Sequence, residues 1–275
     1  VGPPGAGKTM LARRLAAVLP QLDHEEVIEV STIWSVAGLL GPRSGLKTER
    51  PFRAPHHTIS VSGLVGGGSP PHPGEVTFAH RGVLFLDELP EFQQHVLESL
   101  RQPLEDGRVA VARARSVGNF PARFQLIAAA NPCRRGCATL DACVCTPSER
   151  SRYLGRLSRP LLDRIDLQVE LPALAAEEFE ALAPSDGSVV IRARVRAARE
   201  LQRRRFRGQS SRVNAELTPR QLRRVCPLTP EATRGLMEQI GILHQVGIRV
   251  VLVHGGGPQS TALSKRLGLG VQMVE

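Results

Sequence analysis

Residues Gly2 to Thr9 (GPPGAGKT) have the spacing G-x-x-x-x-G-K-[ST], a pattern whose chemistry is phosphate binding. Gly2, Gly5 and Gly7 let the backbone turn inward, so that its N–H groups can cradle an anion. Lys8 would reach the β and γ phosphates, and the Thr9 hydroxyl would ligate Mg²⁺. The candidate nucleotide-binding set is Gly2, Pro3, Pro4, Gly5, Ala6, Gly7, Lys8, Thr9 and Met10. A second set begins with Asp87 and Glu88 in GVLFLDELPEF. Asp87 would hold the metal through water, and Glu88 would orient and deprotonate an attacking water. Alone, an apolar run ending in Asp-Glu is a weak signal; beside a P-loop it is a strong one. Asn131, closing RFQLIAAANP, could position that water and touch the γ-phosphate, or could serve as a turn former before Pro132. Arg164 in LSRPLLDRIDLQVELP could reach a neighbouring subunit's nucleotide as an arginine finger, with Arg159 the runner-up. A surface ion pair with Asp163 or Asp166 is the plainer reading of Arg164.

These residues need particular elements to hold them. MLARRLAAVLP places Leu11, Leu15, Val18 and Leu19 at helical spacing, so a helix follows the P-loop and ends at Pro20. Its N-terminal dipole would face the phosphates. Val83 to Leu86 is a continuous apolar run suited to a central parallel strand. Asp87 then lies at the strand's C-terminal end, where open α/β sheets bind ligands. RFQLIAAA reads as a neighbouring strand, and Ile165–Leu171 as a further one. His56 and His57 are adjacent; on a strand they would face opposite sides, so joint metal binding is not expected.

Four of the five cysteines form Cys133-x3-Cys137-x5-Cys143-x-Cys145. Four thiolates this close could bind a structural Zn²⁺ and pin a loop too short to have a core. Reduced free thiols and iron–sulfur ligation are the other readings. Nothing in the sequence suggests secretion, so disulfides are not the default.

Charge is concentrated rather than spread. The formal net charge is +10, and residues 192–224, with twelve arginines and two glutamates, account for all of it. Such a segment is an electrostatic footprint for a polyanion or else a solvated Arg-rich helix. Aromatic residues are only 4% of the chain, so a stacking platform for single strands is not expected and backbone electrostatics would dominate. With 41% hydrophobic and 23% charged residues, the composition excludes a disordered or fibrous chain. No apolar run approaches the roughly 18 residues of a membrane span, and the start has no signal-peptide pattern. The first methionine is Met10, so the sequence reads as a fragment, a processed chain or an incomplete gene model.

GPPGAGKT, RPFRAPHHTIS, HPGEVTFAHRGVLFLDELPEF, FPARFQLIAAANPC and RYLGRLSRPLLDRIDLQVELP occur in this order. Together they resemble the magnesium-chelatase-like AAA+ ATPases, nearest to the competence-protein (ComM, YifB-type) group, from residue 1 to about 236. The resemblance implies an α/β fold with a three-layer αβα core, here without the first strand, and a partial helical lid. It implies a homo-oligomeric ring, usually a hexamer, with ATP and Mg²⁺ between subunits, and DNA branch migration during natural transformation. It makes Arg164 the trans-acting finger and Asn131 the sensor. It makes residues 107–118 a hairpin whose Arg108, Arg113 and Arg115 would face solvent and could touch DNA in a pore; an ordinary edge hairpin fits equally. It makes PFRAPHHTISVSGLVGGG a family insertion loop. The family's N-terminal domain and second sensor arginine do not appear.

From about Met237 the text changes character. IGILHQVGIRVVLVHGGGPQSTALSKRLGLG reads as helix, buried strand (249–253), glycine loop and helix, and resembles N-acetylglutamate kinase through His254 to Pro258. One such unit cannot bury its own apolar face, so no kinase activity is expected, and a join between two coding regions is the simplest account. The expected organisation is an ATPase core (1–172), an Arg-rich partial lid (173–236) and a kinase-like fragment (237–275). The expected function is a cytoplasmic ATPase acting on DNA, with no membrane partner. Three other readings stand beside it: a chelatase subunit remodelling a protein partner, a small-molecule kinase, and a nucleotide-binding module without turnover.

Overall fold

The structure is a computed structural model. It describes residues 1–41, 45–113, 116–137, 143–172, 186–208, 213–218, 220–221, 224, 229–231 and 234. The expected strand at 249–253 and the rest of the kinase-like segment lie outside the described residues, as does part of the expected lid (173–236). The chain divides into two compact units, residues 1–198 and 199–275.

The first unit is mixed α/β around a parallel sheet. Its strands are β1 (Phe52–Arg53), β4 (Val83–Leu86) and β7 (Gln125–Ala128), in the order β1-β4-β7 with β4 central. Val83 pairs with Phe52 on one side and Gln125 on the other, and both pairings are parallel. All four β4 side chains are buried, as the unbroken apolar run predicts for a strand covered on both faces. Phe85 packs with Ala12 and Ala129 on one face. Leu84 and Leu86 point into the larger cluster on the other face, with Leu64, Val76, Phe92, Val96, Leu97 and Leu100.

Ala12 belongs to α1 (Lys8–Val18), the helix that follows the P-loop. Its buried residues are Ala12 and Val18, whereas Leu11 and Leu15 are 43% and 49% exposed. The stripe expected from leucine spacing is therefore corrected. A small residue faces Phe85, where the helix must lie close to the sheet, and the leucines are left outside. Two small antiparallel ribbons flank the sheet. One pairs β2 (Gly66–Gly67) with β3 (His72–Pro73). The other pairs β5 (Arg108–Arg113) with β6 (Ser116–Pro121), which is the hairpin expected before the sensor strand. It is not wholly solvent-facing: Val109 and Val111 are buried in the main cluster, while Arg108 and Ala110 are exposed. The two-residue period of a strand seats the valines inward and turns their neighbours out.

The strand expected at 165–171 does not form. Residues 165–172 have no regular structure, although Val169 O accepts a hydrogen bond from the Val1 amino group and Leu171 N donates to Val1 O. Two bonds to one residue do not make a ladder.

A polar network ties the front of the sheet to α2 (His24–Val36). Arg50 donates to Pro20 O, to Arg81 O and to the Glu26 carboxylate of α2. Arg81 grips Glu29 at 2.7 Å. His80, 3% exposed, accepts from Arg123 N at Nδ1 and faces Glu29 through Nε2. In the second unit Phe206 is buried. The arginine-rich helix α9 (Ser188–Arg205), which runs across the boundary between units, has no buried residue.

Candidate functional site

The P-loop turns through left-handed backbone at Gly5 (φ 80°) and Gly7 (φ 72°), a conformation that favours glycine over residues bearing a Cβ. Gly7 is the N-cap of α1 and offers no side chain to the first turn, so an anion could take that place. Lys8 reaches back across the loop. Its Nζ donates to Gly2 O (2.7 Å), Pro3 O (2.6 Å) and Asn131 Oδ1 (3.0 Å). Burial holds the Lys8 pKa below the ordinary lysine value, against the opposing pull of Asp87 and Glu88.

Thr9 Oγ1 donates to Asp87 Oδ2 at 2.6 Å. Two hard oxygen donors already in contact, one of them a carboxylate, fit a Mg²⁺ shared between α1 and the end of β4. Asp87 Oδ1 accepts from the Glu88 backbone N at 3.0 Å. Glu88 has a left-handed backbone (φ 53°), and its side chain, 55% exposed, lies 3.7 Å from His57 Nδ1. Three chain segments thus converge on the P-loop mouth: Lys8 and Thr9, Asp87 and Glu88, and Asn131.

Beside them is a cleft of about 350 Å³ lined by His57, Glu88, Glu91, Asn131, Arg134 and Tyr153. Of these, His57, Glu91, Arg134 and Tyr153 are not evident from sequence motifs. His56 and His57 sit in a turn rather than a strand, with ring centroids 4.0 Å apart. The alternation argument for that pair is therefore corrected, and His57 belongs to the cleft. Tyr153, on α7 (Pro147–Leu154), is 4% exposed. Its burial, then the charges of Glu91 and Glu88, push its hydroxyl up to about 12. A larger, open depression of about 640 Å³ lies along α6 (Arg101–Asp106) and β5 and contains none of the P-loop residues.

Arg164 does not line the cleft. It pairs with Glu105 of α6, so neither expected ion pair, to Asp163 or Asp166, is the one formed. Arg159, the runner-up, opens the short helix α8 (Arg159–Leu162). Met10 is 57% exposed on α1. The four cysteines do come together, with their sulfurs within 4.8 Å of one another. Cys133 and Cys145 are buried. Burial works to raise the Cys133 thiol, but hydrogen bonds from Cys137 and the other two thiols outweigh it and bring it down. Burial and the Cys133 thiolate push Cys145 up. Four sulfurs gathered this closely are suited to a cation.

Among the described residues, no helix is long and apolar enough to cross a membrane. The family model for magnesium chelatase subunit ChlI matches residues 1–179, and that for its C-terminal part matches residues 185–250. YifB of Escherichia coli is 44% identical over 84% of this chain and 45% of its own length. Competence protein ComM of Haemophilus influenzae is 42% identical over 92% of this chain and 48% of its own. The chain thus spans about half the length of these relatives. The final segment has a short likeness to acetylglutamate kinase of Erythrobacter litoralis, 50% identical over 46 residues, 15% of that protein. Among solved structures, a chain of the magnesium chelatase BchI–BchD complex covers 89% of this chain and 67% of itself, with 22% identity and a TM-score of 0.41. With the ChlI model matching residues 1–179, and the C-terminal model following it at 185–250, the chain belongs to the magnesium chelatase subunit ChlI family.

Proposed function

We propose that the chain is the ATP-hydrolysing AAA+ module of a cytoplasmic, ring-forming motor that acts on DNA, in the manner of the competence protein it resembles. The observation that carries the ATPase reading is the convergence of Lys8 on Asn131 and of Thr9 on Asp87 across three separate chain segments. In this reading Thr9 and Asp87 hold Mg²⁺, and Lys8 neutralises charge on the terminal phosphates. Glu88 takes a proton from water as that water attacks the γ-phosphorus in line, and the bond to the β–γ bridging oxygen breaks. Asn131 positions the water, and Arg164 acts on the neighbouring subunit's nucleotide once released from Glu105. The exposed arginines of α9 supply the grip on DNA phosphates. A structural zinc on Cys133, Cys137, Cys143 and Cys145 completes the cofactor set.

The test is ATP turnover by the chain and by Glu88→Gln, each with and without forked DNA. Glu88→Gln should bind ATP and turn it over about 100-fold more slowly or worse; unchanged turnover would reject the role. A second reading, a chelatase-type subunit that remodels a protein partner, draws on the ChlI family match. Turnover that ignores DNA would favour it.

A further inference from the structure

The strap from Asn131 to Cys137 lines the cleft at Asn131 and Arg134 and carries four separate contacts. Asn131 Oδ1 holds Lys8. Cys133 and Cys137 supply two of the four sulfurs, and Cys137 N donates to Cys133 Sγ at 3.3 Å. Arg134 forms part of the cleft wall beside Glu88 and Asn131. Gly136, at φ 66°, lies against the P-loop so closely that a Cβ there would come within 2.5 Å of Pro4 Cγ. Two of the four thiols therefore bracket both the arginine in the cleft and the residue that seats the strap on the P-loop.

The cluster has the dimensions of a metal site. Tetrahedral Zn–S bonds of about 2.3 Å place sulfurs about 3.8 Å apart, so sulfurs within 4.8 Å need contract by only about 1 Å. The cysteines are free thiols. The other pair, Cys143 and Cys145, leads directly into Thr146, the N-cap of α7, whose capping box with Glu149 fixes that end of the loop. Arg135 adds a salt bridge to Glu149 at 3.2 Å. The metal site would thus be anchored on one side to α7 and on the other to the P-loop. Among the described residues, Arg134 makes no ion pair or hydrogen bond, although Arg135 beside it does. An exposed guanidinium without a protein anion, at the edge of a phosphate site, is suited to bidentate contact with a phosphate.

We infer that zinc on the four cysteines locks this strap against the P-loop and thereby presents Arg134 to the terminal phosphate of the nucleotide bound in the same chain. The inference rests on reading the cleft as an ATP site. Zinc is a closed, four-ligand structural ion here. It orders a loop that has little core of its own, and the ordered loop delivers the charge. Arg134 acts within one chain, distinct from Arg164, which would serve a neighbour.

The experiment measures three things on the purified chain: metal content, the absorption spectrum after cobalt exchange, and the affinities for ATP and ADP from a fluorescent analogue. About one zinc per chain and a tetrathiolate cobalt spectrum are expected. Arg134→Ala should keep its zinc and its melting temperature, yet lose about tenfold in the preference for ATP over ADP. Chelating zinc from the folded wild type should reproduce that loss, and chelating it from Arg134→Ala should add nothing. The chelation arm removes the metal without substituting any cysteine. Iron or no metal in a chain with reduced thiols would overturn the inference. So would an unchanged ATP preference in Arg134→Ala when Lys8→Ala abolishes binding; the ATP reading would then stand without it. Full nucleotide binding by Lys8→Ala would instead remove the ATP reading.

Discussion

His80 should make the fold sensitive to mild acid. Its side chain is 4% exposed, its Nδ1 accepts from Arg123 N at 3.0 Å, and its Nε2 faces Glu29 at 3.2 Å. Nδ1 must be unprotonated to accept, so the neutral ring with its proton on Nε2 is the form that fits. Burial, only partly opposed by the hydrogen bond to Glu29, lowers its pKa from 6.5 to about 4. Between those values the unfolded chain binds a proton that the folded chain refuses, so stability falls as the pH drops. The loss should begin near pH 6.5, reach about 2 kcal/mol by pH 5 and approach about 3 kcal/mol near pH 4. Glu29, whose pKa is lowered chiefly by its hydrogen bond to Arg81, contributes in the same direction only below its unfolded value of 4.5. The window from pH 6.5 to 5 therefore isolates the histidine. Urea melts at half-unit steps from pH 7.5 to 5 would measure it. His80→Asn keeps an acceptor for Arg123 N and cannot take the proton, so its profile over that window should be nearly flat. A wild type equally stable at pH 7 and pH 5, or an asparagine variant with the same slope, would refute the assignment.

Three other expectations follow from packing, capping and charge. Leu97→Ala removes a fully buried side chain from the main cluster and should destabilise the chain by about 2–5 kcal/mol in denaturant melts. Thr146→Ala loses the cap of α7 and should lower stability by about 1 kcal/mol while leaving Lys8-dependent nucleotide binding intact. Binding to forked DNA, measured by anisotropy, should fall about 100-fold between 50 and 200 mM salt if about four arginines neutralise phosphates; a flat salt dependence would point away from the α9 arginines.

The parts of the site that sequence discloses are those in which one short segment sets the geometry. The P-loop is such a segment, and so is the run Val83–Leu86, whose lack of polar residues is what burial on both faces requires. Asn131 was legible because β7 lies next to β4, which brings the ends of the two strands together. His57 and Tyr153 enter the cleft from two further segments, and Arg134 from the irregular stretch just past Asn131; their approach depends on packing that local pattern does not encode. The same holds for Arg164: its two acidic neighbours in sequence suggest an ion pair, but Glu105, 59 residues away, makes it. The stripe on α1 failed for a different reason. Hydrophobicity favours leucine inward, but the close approach to Phe85 selects alanine.

The left-handed backbone of Glu88 also bears on stability. A non-glycine residue in the left-handed region carries strain of about 1 kcal/mol or more, and this one is more than half exposed and packs little. The position is therefore frustrated: folding alone would favour glycine or asparagine there. Glu88→Asn should leave the melting temperature unchanged or raised even as it removes the carboxylate. A selection for thermal stability alone would be expected to erode this glutamate, whereas a selection for turnover would retain it.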